Sequence, residues 1–275
     1  MPYVESRGVR VPSLGFGTWL LTGQECRDGV LHALDVGYRH VDTAQAYGNE
    51  SQVGEALAAS SVPREELFLT TKLDRDRMGG ERVRSAVEES LERLRTDYVD
   101  LLLIHWPNPE VPLEETLQAM LEAQELGLVG SVGVSNFPPS TLREAVGIAP
   151  ILTNQIEFHP YLSQAALHEI ALADGHLLTA YSPLARGAVL DDPVITAIAE
   201  ANGATPAQVT IAWLLAKPQV AVIPKASSPA RIEENLAATR LELSEDERAR
   251  IDALDRGPAG RVVEPPFAPD WEREA

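Results

Sequence analysis

Val99-Asp100-Leu101-Leu102-Leu103-Ile104 is the stretch on which the fold turns. Its residues are mostly apolar and do not alternate as they would in a strand with one wet face, so they fit a parallel strand covered on both sides. The run extends from Tyr98 to Trp106, and seven others resemble it: Leu14–Trp19, His40–Ala44, Leu67–Lys72, Gly130–Asn136, Leu152–Phe158, Leu177–Ser182 and Val220–Lys225. Between them lie stretches with apolar residues three or four apart. Arg82–Leu94 carries Val83, Val87, Leu91 and Leu94 on one face, and Leu113–Leu126 carries Leu113, Leu117, Met120 and Leu121. Eight such alternations within about 250 residues predict an α/β fold, a (β/α)₈ TIM barrel. The alternative is an open doubly wound sheet. Its dinucleotide-binding form wants G-x-G-x-x-G after the first strand, and Gly15-Phe16-Gly17-Thr18-Trp19-Leu20 lacks the third glycine.

Outward from the barrel, Tyr3-Val4, Gly8 and Arg10-Val11 predict an N-terminal hairpin. Helices at Pro206–Ala216 and Ser244–Leu254 exceed one per strand and read as additions. Asn49 with Gln52 has the pattern of a capping box, and Ser228-Pro229 that of an N-cap followed by proline at the first helical position. The expectation is one barrel domain over residues 1–275, with a short proline-rich tail, 257–275, near its mouth.

Among 275 residues, 23 are Lys or Arg and 41 are Asp or Glu, a net charge of −18. Such a surface repels nucleic-acid backbones and anionic lipid, so neither is an expected partner. Any anionic ligand must meet a local cluster of donors. The lone cysteine, Cys26, rules out an internal disulfide and Cys-based metal motifs, and falls in a predicted helix where packing is its expected role. No apolar run approaches the ~20 residues of a membrane span. Met1–Arg10 lacks the apolar core of a signal peptide, so a cytoplasmic protein is expected. His168-Glu169 is followed by Leu172 where a zinc protease needs its second histidine, Asp74-Arg75-Asp76 lacks the rest of a calcium loop, and no metal site is expected.

Chemistry in such a barrel gathers at the C-terminal ends of the strands. Those ends carry Asp42, Lys72, His105, Asn136, Gln155 and Ser182, and Tyr47 follows Asp42 by five residues. A phenol is a poor acid at neutral pH, with a pKa of about 10. A neighbouring ammonium stabilises its phenolate, a carboxylate holds the ammonium, and an imidazole can orient a substrate oxygen. This set suits proton donation to a carbonyl that receives hydride, and hydride must come from a cofactor. Singly, Asp42-Thr43 reads as a cap, Lys72 as a surface lysine and His105 as a core histidine. On consecutive strand ends they read as a site.

Several longer motifs occur in order. They are Gly37-Tyr38-Arg39-His40-Val41-Asp42-Thr43-Ala44 with Tyr47-Gly48-Asn49-Glu50, Thr71-Lys72, Leu103-Ile104-His105-Trp106-Pro107, Gly133-Val134-Ser135-Asn136-Phe137, Asn154-Gln155-Ile156-Glu157, Tyr181-Ser182-Pro183-Leu184 and Ile223-Pro224-Lys225. By these the chain resembles the aldo-keto reductases, in particular their short bacterial diketogluconate and methylglyoxal reductases, from about Val11 to Trp271. The resemblance implies that Tyr47 is the general acid, tuned by Lys72 and Asp42, with His105 orienting the carbonyl. It implies that Ser135, Asn136 and Gln155 hold a nicotinamide carboxamide, that Tyr181 stacks on the ring, and that Ser182 to Gly187, Leu184 included, spans the pyrophosphate. Thr18 and Asp42 also fall in the implied cofactor set. Lys225, Ser227, Ser228 and Arg231 would take the 2′-phosphate of NADPH, with Glu234 and Asn235 on the adenine side; a helix N-terminus beside cations suits an anion.

Ala226 stands where many relatives have serine, which removes a possible phosphate hydrogen bond. The loss is worth about 1.5–3 kcal/mol unless Ser227 or Ser228 replaces it, which narrows the preference for NADPH; Lys225 and Arg231 still favour NADPH, with NADH the weaker second cofactor. Trp19 and Trp106 end strands at the proposed mouth, and Trp271 in the tail is a third candidate for an aromatic rim around a small carbonyl substrate. The expected function is NADPH-dependent reduction of small aldehydes, ketoaldehydes or diketo sugar acids by a monomer. The alternatives are a catalytically silent, nucleotide-sensing regulatory subunit on the same fold and a barrel isomerase or lyase without nucleotide.

Overall fold

The structure is a computed structural model that describes residues 2–271. Tyr3–Ser6 (β1) and Val9–Pro12 (β2) form the expected antiparallel hairpin. Its turn is Arg7-Gly8, with φ of 50° and 78°, the left-handed pair that a two-residue hairpin favours.

Eight parallel strands follow in sequential order: Phe16–Gly17 (β3), His40–Asp42 (β4), Phe68–Leu73 (β5), Val99–Ile104 (β6), Val129–Ser135 (β7), Thr153–Glu157 (β8), Leu177–Tyr181 (β9) and Val220–Val222 (β10). The sheet curls until its ends meet. Leu14 bridges Val222 in parallel, and the Gly15 N–H donates to Val222 O at 2.8 Å, which makes the arrangement a (β/α)₈ barrel. The first and last strands are shorter than the apolar runs that contain them. Pro224 has no N–H, so β10 cannot continue its ladder through Lys225, although Pro224 O still accepts from Gly17 N at 3.1 Å.

Alternation on β6 explains the apolar run. Leu102 and Ile104 belong to the large core between sheet and helices. Leu101 and Leu103 join Val11, Phe68, Leu152 and Leu177 in a second cluster, against which Val4 and Val9 pack. The hairpin thus plugs the N-terminal end of the barrel, leaving the other end for the site.

The helices are Gly23–Val36 (α1), Glu50–Ala59 (α2), Gly80–Leu94 (α3), Leu113–Glu125 (α4), Pro139–Ile148 (α5), Ala165–Asp174 (α6), Pro193–Ala201 (α7), Pro206–Leu215 (α8), Pro229–Ala237 (α9) and Glu245–Asp252 (α10). On α3 the buried face carries Val83, Val87, Leu91 and Leu94, as its spacing requires. Two details differ from expectation. α8 packs on β10 and α9 as a barrel helix does, so the added element between β9 and β10 is α7, which lies against α8 and α10. Asn49 precedes α2 without a capping bond. Its amide instead donates to Thr18 O and Leu21 O, both at 2.9 Å, and its side-chain oxygen accepts from Thr43 Oγ1 at 2.7 Å. Three bonds to two other loops outcompete a single local one. Capping boxes form at Thr205/Gln208 on α8 and Ser244/Glu247 on α10. Ser228 is the N-cap residue of α9, with Pro229 at N1, but its hydroxyl makes no capping bond.

Cys26 is buried in α1, and burial pushes its thiol up to about 12, so it packs and does not react. Among the described residues no helix is long and apolar enough to cross a membrane, and no group of three or more His, Cys, Asp or Glu is placed to hold a metal ion.

Candidate active site

The C-terminal ends of the strands open into a cavity of about 510 Å³. β4 ends in Asp42 and β5 carries Lys72, both fully buried. Lys72 Nζ donates to Asp42 Oδ1 at 2.6 Å, to Thr43 O at 2.9 Å and to Tyr47 Oη at 3.3 Å. Tyr47 reaches it from a short 3₁₀ turn, Gln45–Tyr47, just after β4. Gln45 ties that turn to α3 through Ala86 O at 3.0 Å and Ser90 Oγ at 2.9 Å. Behind it, buried Glu50 accepts from Thr71 Oγ1 at 2.6 Å and from Arg93 Nε at 2.8 Å. The turn is therefore tied to α3, and the phenol it carries to Lys72 on β5.

Charges here balance pairwise. Burial opposes the Lys72 ammonium, but Asp42 and Tyr47 more than offset it, so its pKa is raised and the lysine stays charged. Burial is also the largest influence on Tyr47 and raises its pKa, while Lys72 pulls the other way. The phenol is thus protonated at rest, with a fixed cation beside the oxygen that would carry charge once the proton leaves. The ring of His105 meets that of Tyr47 edge-on, centroids 5.5 Å apart. Burial, helped by Lys72, lowers the His105 pKa to about 3, so its imidazole is neutral at ordinary pH. Its Nδ1 is buried and has no partner among the described residues.

A second group of side chains joins the same wall. Gln155 Nε2 donates to Asp42 Oδ2 at 2.7 Å. Ser135 Oγ donates to Gln155 O at 2.8 Å, Asn136 Nδ2 donates to Ser135 Oγ and His105 O, both at 3.0 Å, and Tyr181 Oη donates to Asn136 Oδ1 at 2.7 Å. Asn136 follows β7 at φ 63°, a left-handed conformation that asparagine tolerates better than most residues. All four line the cavity with Asp42, Tyr47, His105, Trp19, Trp106, Ser182 and Lys225.

The remaining sequence candidates lie elsewhere. Thr18 is fully buried below the wall, its hydroxyl donating to Asp42 O at 2.9 Å. Glu234 accepts from Thr205 Oγ1 at 2.6 Å, which ties α9 to α8. Leu184 packs on the core, and Gly187 closes the loop at φ 98°. Ser227 and Arg231 are exposed around the start of α9, whereas Asn235 and Ala226 are buried. Trp271 does not line the cavity; the Arg261 guanidinium covers its ring, 3.9 Å from the centroid. The aromatic rim is completed by Phe267 instead, edge-on to Trp106 at 5.6 Å.

Other lining residues had no local signal. Arg186 sits in a loop where Ser182, Ala185 and Arg186 all have positive φ, and its guanidinium lies over Trp19. Val262, Val263, Glu264 and Pro265 bring the tail to the cavity wall.

The model of the aldo/keto reductase family matches residues 13–256. The chain belongs to the aldo/keto reductase family. An aldo-keto reductase of Mycolicibacterium vanbaalenii is 46% identical over 250 residues, covering 90% of this chain and 89% of that protein. Methylglyoxal reductase DkgB of Escherichia coli O157:H7 is 43% identical over 268 residues, 95% of this chain and 99% of that protein. Among solved structures, one provisionally named a 2,5-diketo-D-gluconic acid reductase B superposes with a TM-score of 0.95 at 44% identity, covering 98% of this chain and 96% of that one. A mutant of Gox0644 in complex with NADPH superposes at 0.89 with 37% identity, covering 96% of each chain. This aldo/keto reductase is therefore an oxidoreductase that carries its polar strand ends into one cavity.

Proposed function

We propose that this chain reduces small carbonyl compounds with NADPH, ketoaldehydes such as methylglyoxal and diketo sugar acids among them, and that Tyr47 is the proton donor. The observation that carries this reading is the buried Asp42–Lys72–Tyr47 chain, with Lys72 Nζ 3.3 Å from the phenol oxygen at the cavity wall. The names of two similar proteins, a methylglyoxal reductase and a provisional diketogluconate reductase, support the substrate class.

The residues present fit the cofactor. Ser135, Asn136 and Gln155 offer the donors and acceptors that a carboxamide needs, and Tyr181 offers a flat ring on the same wall. Lys225 on the wall and exposed Arg231 on α9 supply cations for a phosphate in a molecule of charge −18. NADPH, when bound, supplies the hydride. Neutral His105 donates a hydrogen bond to the carbonyl oxygen and orients it. Tyr47 gives that oxygen its proton, and Lys72 stabilises the phenolate left behind.

The test is NADPH oxidation, with NADH in parallel, against methylglyoxal, glyceraldehyde, a diketo sugar acid and an aromatic aldehyde. Carbonyl-dependent oxidation is expected, and Tyr47→Phe should lower turnover by about 10²–10⁴ with NADPH affinity within a few-fold. Equal turnover by that variant refutes the acid role. Tight NADPH binding with no reduction of any carbonyl replaces the reductase with a nucleotide sensor, and no binding removes the cofactor assignment.

A further inference from the structure

We infer that Glu157 is a positioning residue for the carbonyl substrate, acting through the tail that walls the cavity; this rests on the reductase reading above. Glu157 ends β8, two residues beyond Gln155 on the same strand, and is 1% exposed. Its carboxylate accepts two successive backbone N–H groups of the tail, Val262 N at 2.7 Å on Oε1 and Val263 N at 3.0 Å on Oε2. His159, also buried, donates its Nε2–H to Oε1 at 2.8 Å, and Arg261 Nη1 lies 4.0 Å from Oε2. The carboxylate thus joins two tail N–H groups to His159 in the loop after its own strand. It does not line the cavity, which excludes a direct role in proton transfer.

The tail needs such a latch. Among the described residues no helix or strand follows Gly260, so no ladder holds this segment to the barrel. Gly260 itself is pressed on the barrel: a Cβ there would lie 1.7 Å from Tyr161 O. At the far end, Phe267 packs against Trp106 and under the Arg75 guanidinium. Between these two anchors Val262, Val263, Glu264 and Pro265 line the cavity. Glu157 therefore registers the tail wall against β8, the strand that also carries Gln155. Loss of the latch should loosen the substrate wall and leave the Asp42–Lys72–Tyr47 chain in place.

Glu157→Gln keeps the volume but turns one acceptor into an NH₂ group that cannot receive a tail N–H. Val263→Pro deletes one donor from the tail side and leaves the barrel untouched. For Glu157→Gln the KM for methylglyoxal should rise about tenfold, with kcat and the NADPH dissociation constant within about threefold. In both variants exchange of the remaining backbone amides over residues 261–264 should speed up by about tenfold. Exchange at the parent rate in a folded variant, or a fall in kcat with KM unchanged in Glu157→Gln, overturns the proposal. Should Glu157→Gln not fold, amide exchange in Val263→Pro decides alone, since Val263 itself lines the cavity. If the parent protein reduces no carbonyl, the functional reading and the substrate role fail together. The exchange measurement then still separates a real latch from none.

Discussion

Lys72 is placed where one side chain would serve both folding and the proposed chemistry. Its ammonium is buried and makes three hydrogen bonds, to a carboxylate, a carbonyl and the Tyr47 phenol. Replacing a buried pair by apolar groups can be neutral, whereas removing one partner strands the other charge. Lys72→Met should therefore cost about 3–5 kcal/mol of unfolding free energy, because Asp42 keeps only the Gln155 amide among its side-chain partners. Turnover should fall by about 10²–10³, since the phenolate loses its cation. The double variant Asp42→Asn/Lys72→Met should recover stability in urea titrations without recovering turnover. Joint recovery of both would show that the pair is structural only. In the proposed reaction His105 should contribute no acid limb to the pH–rate profile above about pH 4, because burial and Lys72 lower its pKa to about 3; an acid limb between pH 5 and 7 that is lost in His105→Gln would contradict this.

At the scale of elements, α2 and α3 approach most tightly at Gly54. A Cβ there would meet Arg93 O at 2.4 Å and Leu94 C at 2.7 Å, both rigid backbone atoms. Alanine would favour the helix by up to about 1 kcal/mol, but overpacking two helix backbones costs about 1–3 kcal/mol. Gly54→Ala should thus lower the urea midpoint. Turnover should fall with it, since α3 holds Gln45 and Glu50, which brace the Tyr47 turn. A higher midpoint would mean that helix propensity dominates and that the two helices can part freely. The same competition explains Asn49. Its sequence context reads as a helix cap, yet its side chain braces the loops after β3 and β4.

For the whole molecule, buried histidines should contribute to the response to acid between about pH 6.5 and 4. Burial holds His105 near 3 and His176 near 4, and it also lowers His40. Each folded pKa lies below the ordinary 6.5, so between the two values the unfolded chain binds more protons. Stability therefore rises with pH and is lost as pH falls from about 6.5 toward 4, by up to about 1.4 kcal/mol per pH unit for each histidine. Both ring nitrogens of His176 are buried and have no partner among the described residues. His176→Leu should be close to neutral at pH 8 and should make the acid slope shallower by up to one proton. Comparing variant with parent removes the contribution of the −18 surface. An unchanged slope would show that His176 titrates normally in the folded state.

Local pattern alone determined the barrel, because a strand covered on both faces must be apolar throughout and a helix on its surface must be apolar on one side. Local pattern also placed polar residues at the strand ends, and with them Asp42, Tyr47, Lys72 and His105. Tertiary structure decided which polar groups face the cavity. The resemblance puts Thr18 and Glu234 in the cofactor set, and only the fold shows that each side chain also makes a bond within the framework, because a hydroxyl or carboxylate is the same letter in either role. It also decided the tail. Glu157 and Val262 are 105 residues apart and meet only when β8 is in place, so no spacing in the sequence records the contact. Periodicity encodes which face is buried; the partner across the barrel is chosen by closure of the chain on itself.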